Sequence, residues 1–154
     1  MNKLIIASIL AFSATALADS PHWSRTSAAL DTAGDLNVKF KLAGLGANEA
    51  VAIEASANGS ATYGCMAHSG QFPDAANKVT ATGVVFAAGT FTSGKNGTVS
   101  GTLTLTPPDA GAFTCPHGQK LTLTAVDYAN VALYSDVAGL APIAGDFGAV
   151  FYTP

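Results

Sequence analysis

Charge is scarce in this chain. Seven Lys and Arg and ten Asp and Glu stand among 154 residues, 11% of the total, for a formal net charge of −3. The basic residues beyond Lys3 are scattered: Arg25, Lys39, Lys41, Lys78, Lys95 and Lys120. No basic stripe is present to neutralise a phosphate backbone, so nucleic acid is excluded as a partner. After residue 18 no apolar run is long enough to cross a membrane as a helix. The end of the chain, from Phe147 to Pro154, is too short for a lipid-anchor tail. No Gly-x-Ser-x-Gly elbow and no His-Glu-x-x-His pair occurs. Gly94-Lys95-Asn96-Gly97 lies between two strand patterns, not before a helix, which excludes a phosphate loop. No amphipathic helix of useful length is legible beyond residue 18. No repeat or low-complexity linker marks a second domain.

What is present begins with an export signal. Met1-Asn2-Lys3 is a short basic start, Leu4 to Ala18 is uncharged and apolar, and Ala16-Leu17-Ala18 puts small residues at the cleavage positions. Asp19-Ser20-Pro21 then breaks the pattern. These three parts predict a cleaved secretory signal over 1–18. The run is shorter than the roughly 20 apolar residues of a spanning helix. The expected product is secreted and extracellular, with no membrane insertion.

Cys65 and Cys115 are the only cysteines. An even count behind an export signal implies a disulfide in an oxidising compartment. Thr, Ser, Ala and Gly dominate the rest, a composition that suits strands, because β-branched Thr packs well on a pleat.

Residues 19–34 read as an irregular N-terminal lead-in with room for one strand or one aromatic packed on the domain, and 35–154 as one domain. Leu36 to Leu42 alternates apolar and polar, the period of a half-buried strand. Ala50 to Ala57 does the same, with Val51, Ile53, Ala55 and Ala57 on one face. Asn58-Gly59 reads as a bulge rather than a tight turn, because Ala61 to Cys65 resumes the extended pattern. His68 to Lys78 is a loop. Val79 to Thr92 is a long strand, interrupted at Gly83 and Gly89, and Ser93 to Gly97 a turn. Thr98 to Thr106 alternates again, and the pair predicts a hairpin across that turn. Phe113 to Cys115 reads as short and extended. Lys120 to Tyr134 is a long strand whose phase slips near Asp127–Asn130, and Ala149 to Thr153 a last strand. The expected fold is all-β. It is an antiparallel, immunoglobulin-like β-sandwich of six to eight strands with one inter-strand disulfide, although no Trp lies between the cysteines.

Candidate chemistry is thin. Cys65-Met66-Ala67-His68 and Cys115-Pro116-His117 carry ligand types for zinc or copper(I). A disulfide has no thiolate to give, so no metal site is expected and no cofactor is implied. His68 and His117 remain as a general-base pair, with Asp74 as an acid, on loops the disulfide tethers. The other carboxylates are scattered; Asp127, inside a strand pattern, reads as an outward-facing residue. Asn58-Gly59-Ser60 and Asn96-Gly97-Thr98 are sequons, candidate glycosylation sites at Asn58 and Asn96. Phe72, Trp23, Tyr134 and Tyr152 are candidate contacts for an extracellular protein or glycan, Phe72 foremost because it sits beside Pro73 in a loop.

Two stretches carry a resemblance. One runs from Tyr63-Gly64-Cys65 through Pro73 to Lys78. The other comprises Gly94 to Gly97, Leu105 to Pro108 and Phe113 to Gln119. With both cysteines at matching spacing, residues 35–153 resemble a group of small secreted, β-rich proteins of fungi and filamentous bacteria. The resemblance implies no activity. That group tends to have Asn-Gly-Gly after the first cysteine and Cys-Pro-Asn-Gly-Gln at the second, where His68 and His117 stand here.

Three functions fit. The first is a secreted, non-enzymatic interaction protein, such as a fungal effector or a cell-surface or host-binding protein. The second is a small secreted hydrolase or metal-dependent enzyme using His68 and His117. The third is a structural cell-wall component.

Overall fold

The computed structural model describes residues 20–73 and 77–153. The proposed signal at 1–18 and Asp74 lie outside these residues. Eight strands and no helix occur among the described residues: β1 (His22–Leu30), β2 (Leu36–Ala43), β3 (Ala50–Ala67), β4 (Lys78–Thr92), β5 (Val99–Leu105), β6 (Gln119–Ser135), β7 (Gly139–Pro142) and β8 (Phe147–Val150). They form two antiparallel sheets. One runs β1-β2-β5, the other β4-β3-β6, with β7 and β8 end to end along the far edge of β6.

The alternation in the sequence sets the core. Leu36, Val38, Phe40 and Leu42 of β2 are buried, while Lys39 and Lys41 between them face water. They meet Val51, Ile53, Ala55 and Ala57 of β3 and Val126, Tyr128, Val131 and Leu133 of β6. Burying each large aliphatic side chain contributes about 1.5–3 kcal/mol. Trp23 plugs one side of the sandwich. Its ring meets Phe40 edge-on at 6.2 Å, and its Nε1 donates to the Gly139 carbonyl at 3.1 Å.

Five expectations change. The lead-in 19–34 holds a strand, β1, paired along β2 from Leu30 to His22. Its small Ser, Ala and Thr side chains carry too weak an apolar signal to mark it.

The hairpin across Ser93–Gly97 does not form. β4 pairs with β3 and β5 with β2, so this turn carries the chain from one sheet to the other. The crossing is tied to the β2–β3 turn. Leu45 N–H donates to the Gly97 carbonyl at 2.9 Å, and the buried Ser93 hydroxyl donates to the Gly46 carbonyl while accepting from Glu49 N–H at 2.9 Å.

The bulge expected at Asn58-Gly59 lies in the facing strand. β3 keeps unbroken register with β4 from Ala50 to Gly64. Against β6, the register shifts between Ser56 and Asn58, opposite Ala132 and Ala129. The extra residue is on β6, where Asn130 takes φ 53°, and it is the source of the phase slip in the sequence.

Cys65 and Cys115 are bridged, with Cα atoms 5.5 Å apart. Cys115, however, sits in the β5–β6 connection, where no strand forms, so the bridge joins a strand to a loop rather than two strands. The last strand also comes earlier than expected, at β8, and the chain leaves the sheet at Phe151.

Candidate functional site

The most developed surface feature lies where the chain leaves β8. Phe151 N–H and Tyr152 N–H both donate to the Thr124 carbonyl, at 2.7 and 3.2 Å. Thr124 is the extra residue at a second register shift of β6 against β3, and its hydroxyl donates to the Thr62 carbonyl at 3.0 Å. That shift frees the Thr124 carbonyl to hold the departing tail. Phe151 then packs on the core, and Tyr152 stays 45% exposed.

The loop after β3 supplies the facing ring. Ala67 N–H donates to the Gln71 carbonyl at 2.8 Å and Gly70 N–H to the Ala67 carbonyl at 2.9 Å, a tight reversal that Gly70 permits with φ 77°. It turns Phe72 back across Gly64, where a Cβ would stand only 3.0 Å from the Phe72 ring. The Phe72 and Tyr152 rings meet at 5.8 Å, tilted by 56°. The glycine that makes room for the ring is the one beside Cys65.

Tyr152 borders two open depressions. One, about 510 Å³, is lined by Gly70, Gln71, Phe72, Tyr152 and Thr153 among others. The other, about 460 Å³, is lined by Thr32, Ala33, Lys120, Thr122, Phe151 and Tyr152. Its Thr32–Ala33 wall is the β1–β2 turn, organised by Asp31. The Asp31 carboxylate accepts from Ala33 N–H at 2.9 Å, Asp35 N–H at 3.0 Å and the Asn37 amide at 3.3 Å. Burial opposes ionisation of Asp31, but these bonds outweigh it and hold the carboxyl below its usual value. Burial, then the charge of Asp31, raises Asp35. The ridge thus offers two aromatic rings with hydroxyl groups on both sides, the Gln71 amide on one and the Lys120 amine on the other.

Of the four aromatic candidates, Phe72 and Tyr152 come together. Trp23 is absorbed in packing. Tyr134 is 52% exposed on the outer face of the β4-β3-β6 sheet, in register with Glu54 and Leu140. His68 and His117 are both exposed, on turns that flank the paired Ala67 and Gln119. No cluster of three His, Cys, Asp or Glu side chains suited to a metal occurs among the described residues. Asp127 is exposed on the outer face. Its Oδ1 lies 2.9 Å, and Asp146 Oδ1 3.5 Å, from where a Cβ on Gly148 would stand, so the two carboxylates flank that glycine. Asn58 is exposed within β3. Asn96 is exposed in the sheet-crossing turn, and its Oδ1 accepts from the Thr98 hydroxyl at 2.9 Å.

Sequence reasoning missed one surface. Val84 and Phe86 on β4 and Leu140 on β7 are 69%, 70% and 65% exposed. The signal was there: Val79 to Thr92 has apolar residues in both phases of the strand, and a strand that buries one face must expose the other set.

The protein is therefore an all-β, two-sheet molecule with one disulfide and an aromatic ridge beside it. The bridge is compatible with an extracellular protein. No helix among the described residues is long and apolar enough to cross a membrane. No protein-family model, curated protein or solved structure matches the chain.

Proposed function

We propose that this is a secreted, non-enzymatic interaction protein that binds an extracellular polysaccharide on the Phe72–Tyr152 ridge. The single observation that carries the reading is the meeting of those two rings, half-open between depressions lined by Thr32, Thr122, Thr153, Gln71 and Lys120. Aromatic faces take the C–H side of a sugar ring, and neighbouring hydroxyl and amide groups take its hydroxyls. The depressions are shallow and mixed in polarity, a poor fit to a compact apolar ligand, which prefers an enclosed cavity.

Export by the 1–18 signal belongs to the same reading, as does use of the sequons at Asn58 and Asn96 in a glycosylating host. So does an immunoglobulin-like topology, which the strand order supports. β2 and β5 are neighbours in one sheet and β3 and β6 in the other, so the two pairs interlock. The resemblance to small secreted proteins of fungi and filamentous bacteria is consistent with an extracellular partner.

The test is retention of the protein, recovered from the medium of an exporting host, on insoluble cellulose, chitin, xylan and β-glucan. Retention on at least one is expected. Y152A and F72A should each weaken it about fivefold, since one aromatic stack contributes on the order of 1 kcal/mol. Y134A, on the outer sheet face, should leave it unchanged. Failure to bind any of the four, or binding indifferent to Y152A, defeats the proposal.

A further inference from the structure

β4 is an edge strand of the larger sheet. It pairs with β3 along Lys78 to Gly64 through Thr92 to Ala50, and no strand among the described residues occupies its other edge. Proteins normally protect such edges with charges, proline, bulges or shortness. β4 has none of these beyond Lys78 at its start. From Val79 to Thr92 there is no charge and no proline, the register with β3 is unbroken, and the strand is 15 residues long. At its middle stand Val84 and Phe86, the two most exposed large apolar side chains on β4.

The strand is also complementary to itself. Val85 is the midpoint of 78–92. A two-fold axis at Val85 lays β4 antiparallel on a second β4 with every residue paired. On the outer face, Phe86 falls opposite the second copy's Val84, and Val84 opposite its Phe86. Thr82 then meets Ala88, and Thr80 meets Thr90. On the inner face Val85 meets Val85, and Ala87 meets Gly83, whose Cβ position has nothing within 4 Å. The faces alternate in phase, as antiparallel pairing demands. Each Lys78 falls opposite a Thr92 at the far ends, so no like charges meet. This is the self-matching pattern of an isologous interface.

We infer that two copies of this chain associate through β4, joining their larger sheets into one continuous antiparallel sheet. At about 3.3 Å per residue the shared edge is about 50 Å long. With a height of about 10 Å for one pleated layer and its side chains, the contact covers on the order of 1,000 Å² in total, the lower bound for a specific interface. It packs Val84 of each copy beside Phe86 of the other and satisfies the open N–H and C=O groups of both edges. The axis is closed, so assembly stops at two.

Sedimentation of the exported protein over a wide concentration range tests this. A dimer is expected. V84K/F86K places lysines against lysines across the axis and should weaken association at least about a hundredfold. Both positions are exposed, so the thermal melt of the diluted monomer should be unchanged. V84K/F86E sets each introduced lysine against the second copy's glutamate and should restore the dimer. A wild-type monomer at all concentrations, an open-ended polymer, a dimer that survives V84K/F86K, or no rescue by V84K/F86E each overturns the inference. Y152A should leave the dimer intact, so failure here is separable from failure of polysaccharide binding.

Discussion

The hydroxyl of Tyr128 lies 2.8 Å from the carbonyl oxygen of Gly34 and 3.3 Å from that of Leu105. Tyr128 belongs to β6 in the larger sheet. Gly34 precedes β2, and Leu105 ends β5, in the smaller one. One phenol, 2% exposed, therefore ties the two layers together from inside. Tyr128→Phe removes the donor held by the Gly34 carbonyl, which should cost about 1–3 kcal/mol. Urea unfolding should show a lower midpoint with an unchanged slope. An unchanged midpoint would mean that the bond adds nothing net.

The same phenol makes stability depend on alkaline pH. Burial first, then the negative charge of Asp35, raises its pKa well above the ordinary tyrosine value. The unfolded phenol loses its proton near pH 10, while the folded one keeps it. Above that pH the unfolded state binds fewer protons, so stability is full below about pH 10 and falls as pH rises further. The limiting slope is about 1.4 kcal/mol per pH unit for one group. Tyr63 adds in the same direction, raised by burial and then by Asp109, with its hydroxyl donating to the Pro108 carbonyl at 2.7 Å. Tyr128→Phe should flatten the alkaline limb without abolishing it. Parallel limbs for the two proteins would exclude Tyr128 as the titrating group.

The disulfide closes a sequence separation of 50 residues, which contains β4 and β5. Its removal releases that loop in the unfolded chain. C65A/C115A should lower stability by up to about 4 kcal/mol on the chain-entropy account. The loss should appear in the unfolding equilibrium, with the β circular-dichroism spectrum retained under folding conditions. Because Phe72 lies on Gly64, next to Cys65, the same variant should also loosen the ridge and weaken the proposed polysaccharide retention.

Gly97 has φ 70°, and a Cβ there would collide with the Leu45 carbonyl oxygen. Gly118 has φ 83° with open space around it. G118A should cost only the left-handed strain of about 1–2 kcal/mol. G97A carries that strain plus backbone collision at the sheet crossing and should cost clearly more. Equal thermal shifts in the two variants would show that the Leu45–Gly97 contact yields easily.

Much of the strand inventory was legible because alternation is local. β2 and β5 announce themselves through Leu36, Val38, Phe40 and Leu42, and through Val99, Leu103 and Leu105, each separated by polar residues. The β6 bulge was visible as a lost phase near Asn130. β1 was not, because Ala28, Ala29 and Ser27 bury too little to imprint a period. Of the candidate ridge, Phe72 and Tyr152 were both named from sequence. Their contact was not foreseen, since they lie on opposite sides of β4, β5 and β6 in the chain.

Sequence by itself determined that β2 to β6 extend, which face of β2, β3 and β5 is apolar, and that the two cysteines pair with each other. These follow from composition and from a period of two. Only the tertiary structure decided that β4 and β5 part at Ser93–Gly97 and go to different sheets. A turn motif is satisfied equally by a hairpin and by a crossing. What selects between them is whether the inner faces of β2, β3, β5 and β6 can all be buried against one another, and that depends on the whole chain at once.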